Sequence, residues 1–324
     1  MLGVSILGAG FMGRTHAECY LKNSKCKLNY IFDKNIDRAK DLASYVGAKA
    51  TDDINTVLSK DIDMIDICLP TYLHLHYVEM AAKAGKHILC EKPMAINIKE
   101  CDEIIGITTN HNIKYMVAHV IRFWPEYRYM KKVIDSGELG EPIYATASRM
   151  QPMPLWSESN WIVNPSLSVG GVVDLQIHDL DFMSWVFGKP SKLKSVGSKS
   201  RQGGWEQVIT IMEHEGGIQT CTEACNLMPV SYPFTARFKV LFTDGCIEYD
   251  CNAPKSLVVY RPGRQPENPV INDLNGYQNE IDYFTECILE NRETILAPAG
   301  DARFALYLAL KSKESLESNN DVVI

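Results

Sequence analysis

Through the first 120 residues, short apolar runs alternate with stretches of helical period. Strands are predicted at Val4 to Gly8, Lys27 to Phe32, Met64 to Leu69, His87 to Cys90 and Tyr115 to Ala118. Helices are predicted between them, at Arg14 to Lys22, Ile36 to Tyr45, Ile54 to Ser59, Leu73 to Ala84 and Ile98 to Asn110. That rhythm is the one of right-handed parallel crossovers with helices on both faces of a sheet. After about Val120 it changes. A helix over Pro125 to Ser136 leads into longer strand patterns at Pro142 to Arg149, Lys192 to Ser198, Gln207 to Glu213, Ile218 to Cys225, Ala236 to Thr243, Cys246 to Asp250 and Leu257 to Tyr260. Few crossovers separate them, and Asp244-Gly245 supplies a tight hairpin turn, so most are expected to be antiparallel. Helices at Gly171 to Phe187, Tyr277 to Glu290 and Ala302 to Glu317 complete the pattern. The prediction is an α/β domain over residues 1–120 followed by an α+β domain over 121–324.

Composition narrows the classes without changing that picture. At 324 residues, 46% hydrophobic and 23% charged, the chain is globular in character and long enough for two domains. Thirty-three basic against forty acidic residues give a formal charge of −7, which argues against nucleic acid as a partner. Ten scattered cysteines include no pair at the two-residue gap of zinc ribbons, so no metal is expected and a reducing, cytoplasmic setting is. No apolar run reaches membrane-spanning length, and no membrane partner is expected.

Ser5-Ile6-Leu7-Gly8-Ala9-Gly10-Phe11-Met12-Gly13 sets a G-x-G-x-x-G pattern between the first strand and the first helix. There Gly8 permits the turn, Gly10 lets a pyrophosphate approach and Gly13 lets helix and strand pack, with the backbone about Phe11 and Met12 offering N–H groups at a helix start. Asp33 follows twenty residues later, at the end of the second strand, where a carboxylate accepts from both ribose hydroxyls and repels a 2′-phosphate. The cofactor predicted is NAD, with NADP less favoured. Lys34 and Arg38 would soften that preference unless they are solvated surface charges.

Three further segments concentrate chemistry. Cys68-Leu69-Pro70-Thr71-Tyr72-Leu73-His74 ends the third strand, Cys90-Glu91-Lys92-Pro93 ends the fourth, and Gly170-Gly171-Val172-Val173-Asp174-Leu175-Gln176-Ile177-His178 opens a helix on which Asp174 and His178 stand at i and i+4. Asp181 at i+7 is expected to extend that polar stripe. Each motif alone is weak: an i, i+4 Asp-His pair is commonly a surface contact and Lys-Pro commonly a turn.

Together, with Arg14 and His16 after the glycine loop and Arg122 and Pro125 at the domain crossover, these segments resemble the Gfo/Idh/MocA oxidoreductases. That family is named for glucose-fructose oxidoreductase, inositol dehydrogenase and a rhizopine-catabolism protein. The resemblance spans the chain. It implies an α/β Rossmann domain with a parallel sheet plus an α+β C-terminal domain with a large, mostly antiparallel open sheet, often used for dimer or tetramer contacts. It also implies hydride exchange with a sugar, cyclic polyol or related secondary alcohol. Lys92, Asp174 and His178 fall on the family's catalytic positions. Of these, His178 suits the role of base, Lys92 that of a cationic donor to the reacting oxygen, and Asp174 that of orienting group.

Leu69, Pro70, Thr71, His74 and Glu91 join Lys92 as expected cofactor neighbours, and Arg122 and Trp156 join the catalytic residues as expected substrate neighbours. Leu69-Pro70-Thr71-Tyr72 departs from the Thr-Pro-Asn of many members, which bears on the nicotinamide side. Two alternatives stay open: an enzyme with tightly bound NAD that uses transient oxidation for net hydrolysis or elimination, and a non-catalytic NAD-binding regulator.

Overall fold

A computed structural model describes residues 1–324 except 156–160, 163, 165, 166, 168, 202 and 272–274. The chain forms two compact units, one of Met1–Trp124 with Leu274–Arg303 and the other of Pro125–Asp273 with Phe304–Ile324. The helix Gly276–Leu289, read in the sequence as part of the later domain, is thereby a member of the first unit.

In the first unit, strands β1 (Leu2–Leu7), β2 (Cys26–Phe32), β3 (Lys49–Thr51), β4 (Met64–Ile67), β5 (His87–Glu91) and β6 (Tyr115–Ala118) form one parallel sheet in the order β3-β2-β1-β4-β5-β6. Helices α1 (Phe11–Lys22), α2 (Ile36–Val46), α3 (Ile54–Val57), α4 (His74–Lys83) and α5 (Ile98–Asn110) alternate with the strands. Every residue of β1 is buried, as expected for a central strand covered on both faces. The strand order reverses between β1 and β4, and in open α/β sheets ligands bind at the carboxyl ends of the strands at such a point. Strand β3 was not anticipated; three residues at a sheet edge carry too little pattern.

The second unit holds α6 (Pro125–Ser136), β7 (Pro142–Pro152), α7 (Gly171–Phe187), β8 (Pro190–Lys199), β9 (Trp205–His214), β10 (Gln219–Met228), β11 (Thr235–Phe242), β12 (Gly245–Asp250) and β13 (Leu257–Tyr260). Helix α8 (Gly276–Leu289) returns the chain to the first unit, and α9 (Ala299–Ser318) and β14 (Val322–Val323) close it. An eight-stranded sheet runs β13-β12-β11-β7-β10-β9-β8-β14, antiparallel except where β7 and β10 pair in parallel. Beneath it, Tyr127, Phe182, Phe238 and Tyr249 pack ring against ring at 4.7–5.4 Å between centroids. The ten cysteines are free thiols, and no described helix is long and apolar enough to cross a membrane.

Candidate active site

The glycine loop connects β1 to α1. Gly8 has φ of +104°, and a Cβ on Gly13 would stand 1.8 Å from the Gly8 carbonyl oxygen, so the turn and the close helix–strand approach both exclude a side chain. Gly10 differs, because a Cβ there would meet nothing of the chain within 4 Å. The fold does not require that glycine, whereas a pyrophosphate lying against the start of α1 would. Phe11 and Met12 form the first turn, with Phe11 exposed. Asp33, at the end of β2, accepts from the Ala9 N–H (2.9 Å) and the Asn35 N–H (2.8 Å). Its carboxylate is therefore fixed against the glycine loop, and Arg38 reaches it at 3.2 Å instead of standing as a solvated charge. These residues fit an adenosine ribose and a pyrophosphate.

Beyond β4, Leu69 and Pro70 are half-buried and Thr71 is buried. His74, the first residue of α4, is fully buried, with Nε2 2.8 Å from the Leu69 carbonyl and Nδ1 3.0 Å from the Pro93 carbonyl. Burial opposes its charged form and outweighs the carbonyls that favour it, so the imidazole lies below its usual range. The ring thus packs between the loop after β4 and the turn after β5, and when neutral its single N–H can donate to only one of the two carbonyls. Glu91 closes β5 and its Oε2 accepts the Lys92 N–H at 3.1 Å; Lys92 itself is half-buried.

Arg122, expected to meet substrate or cofactor, is instead 2% exposed and occupied: its Nη1 donates to Asp301 Oδ2 at 2.7 Å and to the Leu296 carbonyl at 3.0 Å. The pair, its arginine buried and its aspartate half-exposed, links the 3₁₀ turn Val120–Phe123 to the start of α9.

In the second unit, α7 is buried nearly all round. Between residues 172 and 183 only Asp174 and His178 escape full burial, one turn apart on one face. Asp181, expected to continue their stripe, is 1% exposed and does not share their access. Two buried polar contacts hold the helix. Gln176 donates to Thr210 (2.7 Å) and Thr222 (3.0 Å) and accepts from Ser312. Asp179 pairs with Arg149 at 3.0 Å. Trp156 lies outside the described residues.

Sequence reasoning gave no role to a charged cluster inside the first unit. The His16 Nδ1–H donates to Asp66 Oδ2 at 2.8 Å, the Tyr20 hydroxyl donates to the same oxygen at 2.9 Å, and the Cys68 thiol reaches Asp66 Oδ1 at 3.4 Å. The signal was an acid inside the apolar run Met64-Ile65-Asp66-Ile67, with His16 and Tyr20 at i and i+4 on the face of α1 turned inward.

The parallel sheet with this glycine loop and the fixed Asp33 defines a dinucleotide-binding Rossmann domain. Residues 2–119 match the oxidoreductase family described as having an NAD-binding Rossmann fold, and residues 127–248 match the GFO/IDH/MocA C-terminal domain. The chain belongs to the Gfo/Idh/MocA family. It is 27% identical over 337 residues to inositol 2-dehydrogenase of Rhizobium meliloti, covering 98% of each chain. It is also 24% identical to myo-inositol 2-dehydrogenase of Thermotoga maritima, covering 98% of this chain and 97% of that one. The solved structure of UDP-N-acetylglucosamine 3-dehydrogenase from Acidithiobacillus ferrooxidans superimposes with a TM-score of 0.83 at 25% identity, over 98% of both chains.

Proposed function

We propose that this oxidoreductase transfers hydride between NAD and a secondary alcohol of a sugar, cyclic polyol of the inositol kind or related compound. The observation that carries the reading is the open face of α7, where a helix otherwise buried leaves an imidazole and a carboxylate accessible together. Bound nicotinamide would accept the hydride. In this reading His178 removes the hydroxyl proton, for which an imidazole is suited near neutral pH. Lys92 donates to the same oxygen and stabilises its developing negative charge. Asp174 orients His178 or an adjacent substrate hydroxyl, and the inositol and sugar-nucleotide dehydrogenases among the relatives agree with an alcohol substrate.

Asp33 supports NAD over NADP, since a fixed carboxylate repels a 2′-phosphate, while Arg38 beside it would attract one. The eight-stranded sheet carries Tyr144, Val196, Ile211 and Tyr260 as exposed apolar residues alternating with buried ones, a face suited to a second copy of the chain in a dimer or tetramer.

The test is NADH formation from NAD, then from NADP, against inositols, aldoses, sugar acids and amino sugars. A signal with NAD that Asp33→Ala weakens more than the signal with NADP is expected. Tight NAD binding with no NADH released on any alcohol would replace this reading with the retained-cofactor or regulatory one.

A further inference from the structure

Helix α1 buries Gly13, His16, Ala17 and Tyr20 along one stripe, positions where apolar residues would serve a sheet-packing helix at no electrostatic cost. Two of the four are polar and both bond Asp66 of β4, itself 0% exposed. The array continues on the other side of the ring. His16 Nε2 lies 3.2 Å from Glu91 Oε1, a close charge contact off the hydrogen-bond axis, and Glu91 Oε2 accepts the Lys92 N–H. From α8, Glu280 is fully buried, and neither of its carboxyl oxygens has a hydrogen-bond partner among the described residues.

We propose that Asp66, His16 and Glu91 form a buried charge array that positions the Lys92 turn, with His16 as the imidazolium shared between two carboxylates. Asp66 orients the ring through Nδ1, the ring's charge holds Glu91, and Glu91 holds the backbone of Lys92. His16 and Asp66 are thus positioning residues for Lys92, and the inference rests on the reading of Lys92 as the donor to the reacting oxygen.

The ionisation pattern agrees. Burial opposes a charged His16, but Asp66 beside it holds the ring well above its usual range, while burial together with Glu91 and Asp66 raises Glu280 well above the usual carboxylate range against the pull of His16. A carboxyl shifted that way competes less for the His16 ring than Asp66, which is hydrogen-bonded to it, and Glu91, which is 3.2 Å from it. The remaining titratable neighbours are uncharged: burial raises both the Cys68 thiol and the Tyr20 hydroxyl. A metal ion does not fit as the centre of the cluster. His16, Asp66 and Cys68 place donor atoms within 4.8 Å of one another, yet the 2.8 Å His16–Asp66 distance is that of a hydrogen bond. Two ligands on a tetrahedral zinc stand about 3.3 Å apart.

Two substitutions of His16 separate positioning from packing. In His16→Asn the amide replaces Nδ1 and keeps the Asp66 bond but ends short of Glu91; in His16→Gln the amide replaces Nε2 and keeps a donor toward Glu91. Amide hydrogen exchange of the NAD complex needs no substrate and reads the Lys92 N–H directly. His16→Asn should lose about tenfold protection at Lys92, with β1 and α4 unchanged, and His16→Gln should recover part of it. With a substrate in hand, kcat should fall in the same order while KM for NAD holds, because misplacing a catalytic group by about 1 Å can cost up to about a hundredfold.

Unchanged Lys92 protection in a folded His16→Asn protein, or better protection in Asn than in Gln, overturns the array. If both His16 variants fail to fold, Glu91→Gln decides: it can still accept the amide but carries no charge for His16, and wild-type protection there overturns the proposal. Lys92→Ala is the separate control. Undiminished turnover in that variant would remove the catalytic reading of Lys92 and leave the exchange result to judge the array alone.

Discussion

The Lys92 turn in the first unit and the Asp174–His178 face of α7 in the second are secured by different kinds of buried polar contact. Around Lys92 the supports are ionisable: Asp66, His16 and Glu91 on one side and the His74 ring on the other. Under α7 they are mostly neutral. Gln176 joins Thr210, Thr222 and Ser312, and Ser195 closes the hydroxyl network through bonds to Thr210 (2.8 Å) and Ser312 (2.9 Å). A neutral network holds its geometry across pH, whereas a charged one holds it only while its protons stay in place. The Gln176 network under α7 is therefore a mount indifferent to pH, although the Asp179–Arg149 pair beneath the same helix is charged, while the Lys92 turn rests on titrating groups.

The largest effects should come from removing the chemistry itself. His178→Ala should lower kcat by about 10²- to 10⁴-fold with NAD affinity nearly intact, and Lys92→Ala should lower kcat without a large loss of melting temperature. Near-normal turnover in the first would place the base elsewhere. A large stability loss in the second would make Lys92 a structural residue, and the comparison of two mounts would lose its purpose.

Next come the mounts. Asp179→Asn leaves the Arg149 guanidinium buried without its counter-charge and should cost about 3–5 kcal/mol by denaturant unfolding. Gln176→Leu should cost less, about 1–3 kcal/mol, because Ser195, Thr210 and Ser312 still satisfy one another. That smaller loss should be the same at pH 6 and pH 9. A pH-dependent loss in Gln176→Leu would show that the network hides an ionised group and would break the contrast.

How much of this was readable in the sequence follows from how local each signal is. The helices Ile98–Asn110, Pro125–Ser136 and Gly171–Phe187 lie where the 3.6-residue period and their flanking residues set them. Strands β3 and β14, of three and two residues, are too short to show a period and owe their state to their neighbours. Asp174 and His178 were legible because their spacing is a property of one helix. Asp181 was misread by the same rule: it falls nearly above Asp174 by angle, but covering of a helix varies along its length. The His16 array was not legible, since its members come from three separate elements, α1, β4 and β5, with Asp66 fifty residues after His16, and only the fold brings them together. Arg122 was misassigned for the same reason, its partner Asp301 being 179 residues away.

The smallest expected effect is the pH dependence of stability, and its sign discriminates between the mounts. A group whose pKa is raised on folding gives stability that is complete below its unfolded pKa and is lost as pH rises through the folded one. His16, held above its usual range by Asp66 against burial, is such a group, and Glu280, raised chiefly by burial, acts in the same direction from lower pH. His74, His87 and His214 are lowered by burial, so they give stability that is present above their unfolded pKa near 6.5 and lost as pH falls. Unfolding free energy should therefore decline on both sides of neutrality, with His16 on the alkaline limb and His74, His87 and His214 on the acid limb. His16→Gln removes one proton from the alkaline balance and should flatten that limb by up to about 1.4 kcal/mol per pH unit, leaving the acid limb as it was. Glu280→Gln should instead change the slope from near pH 4.5 upward. An alkaline limb identical in wild type and His16→Gln would mean that His16 is neutral in the folded protein, and a neutral ring could not hold Glu91 by charge.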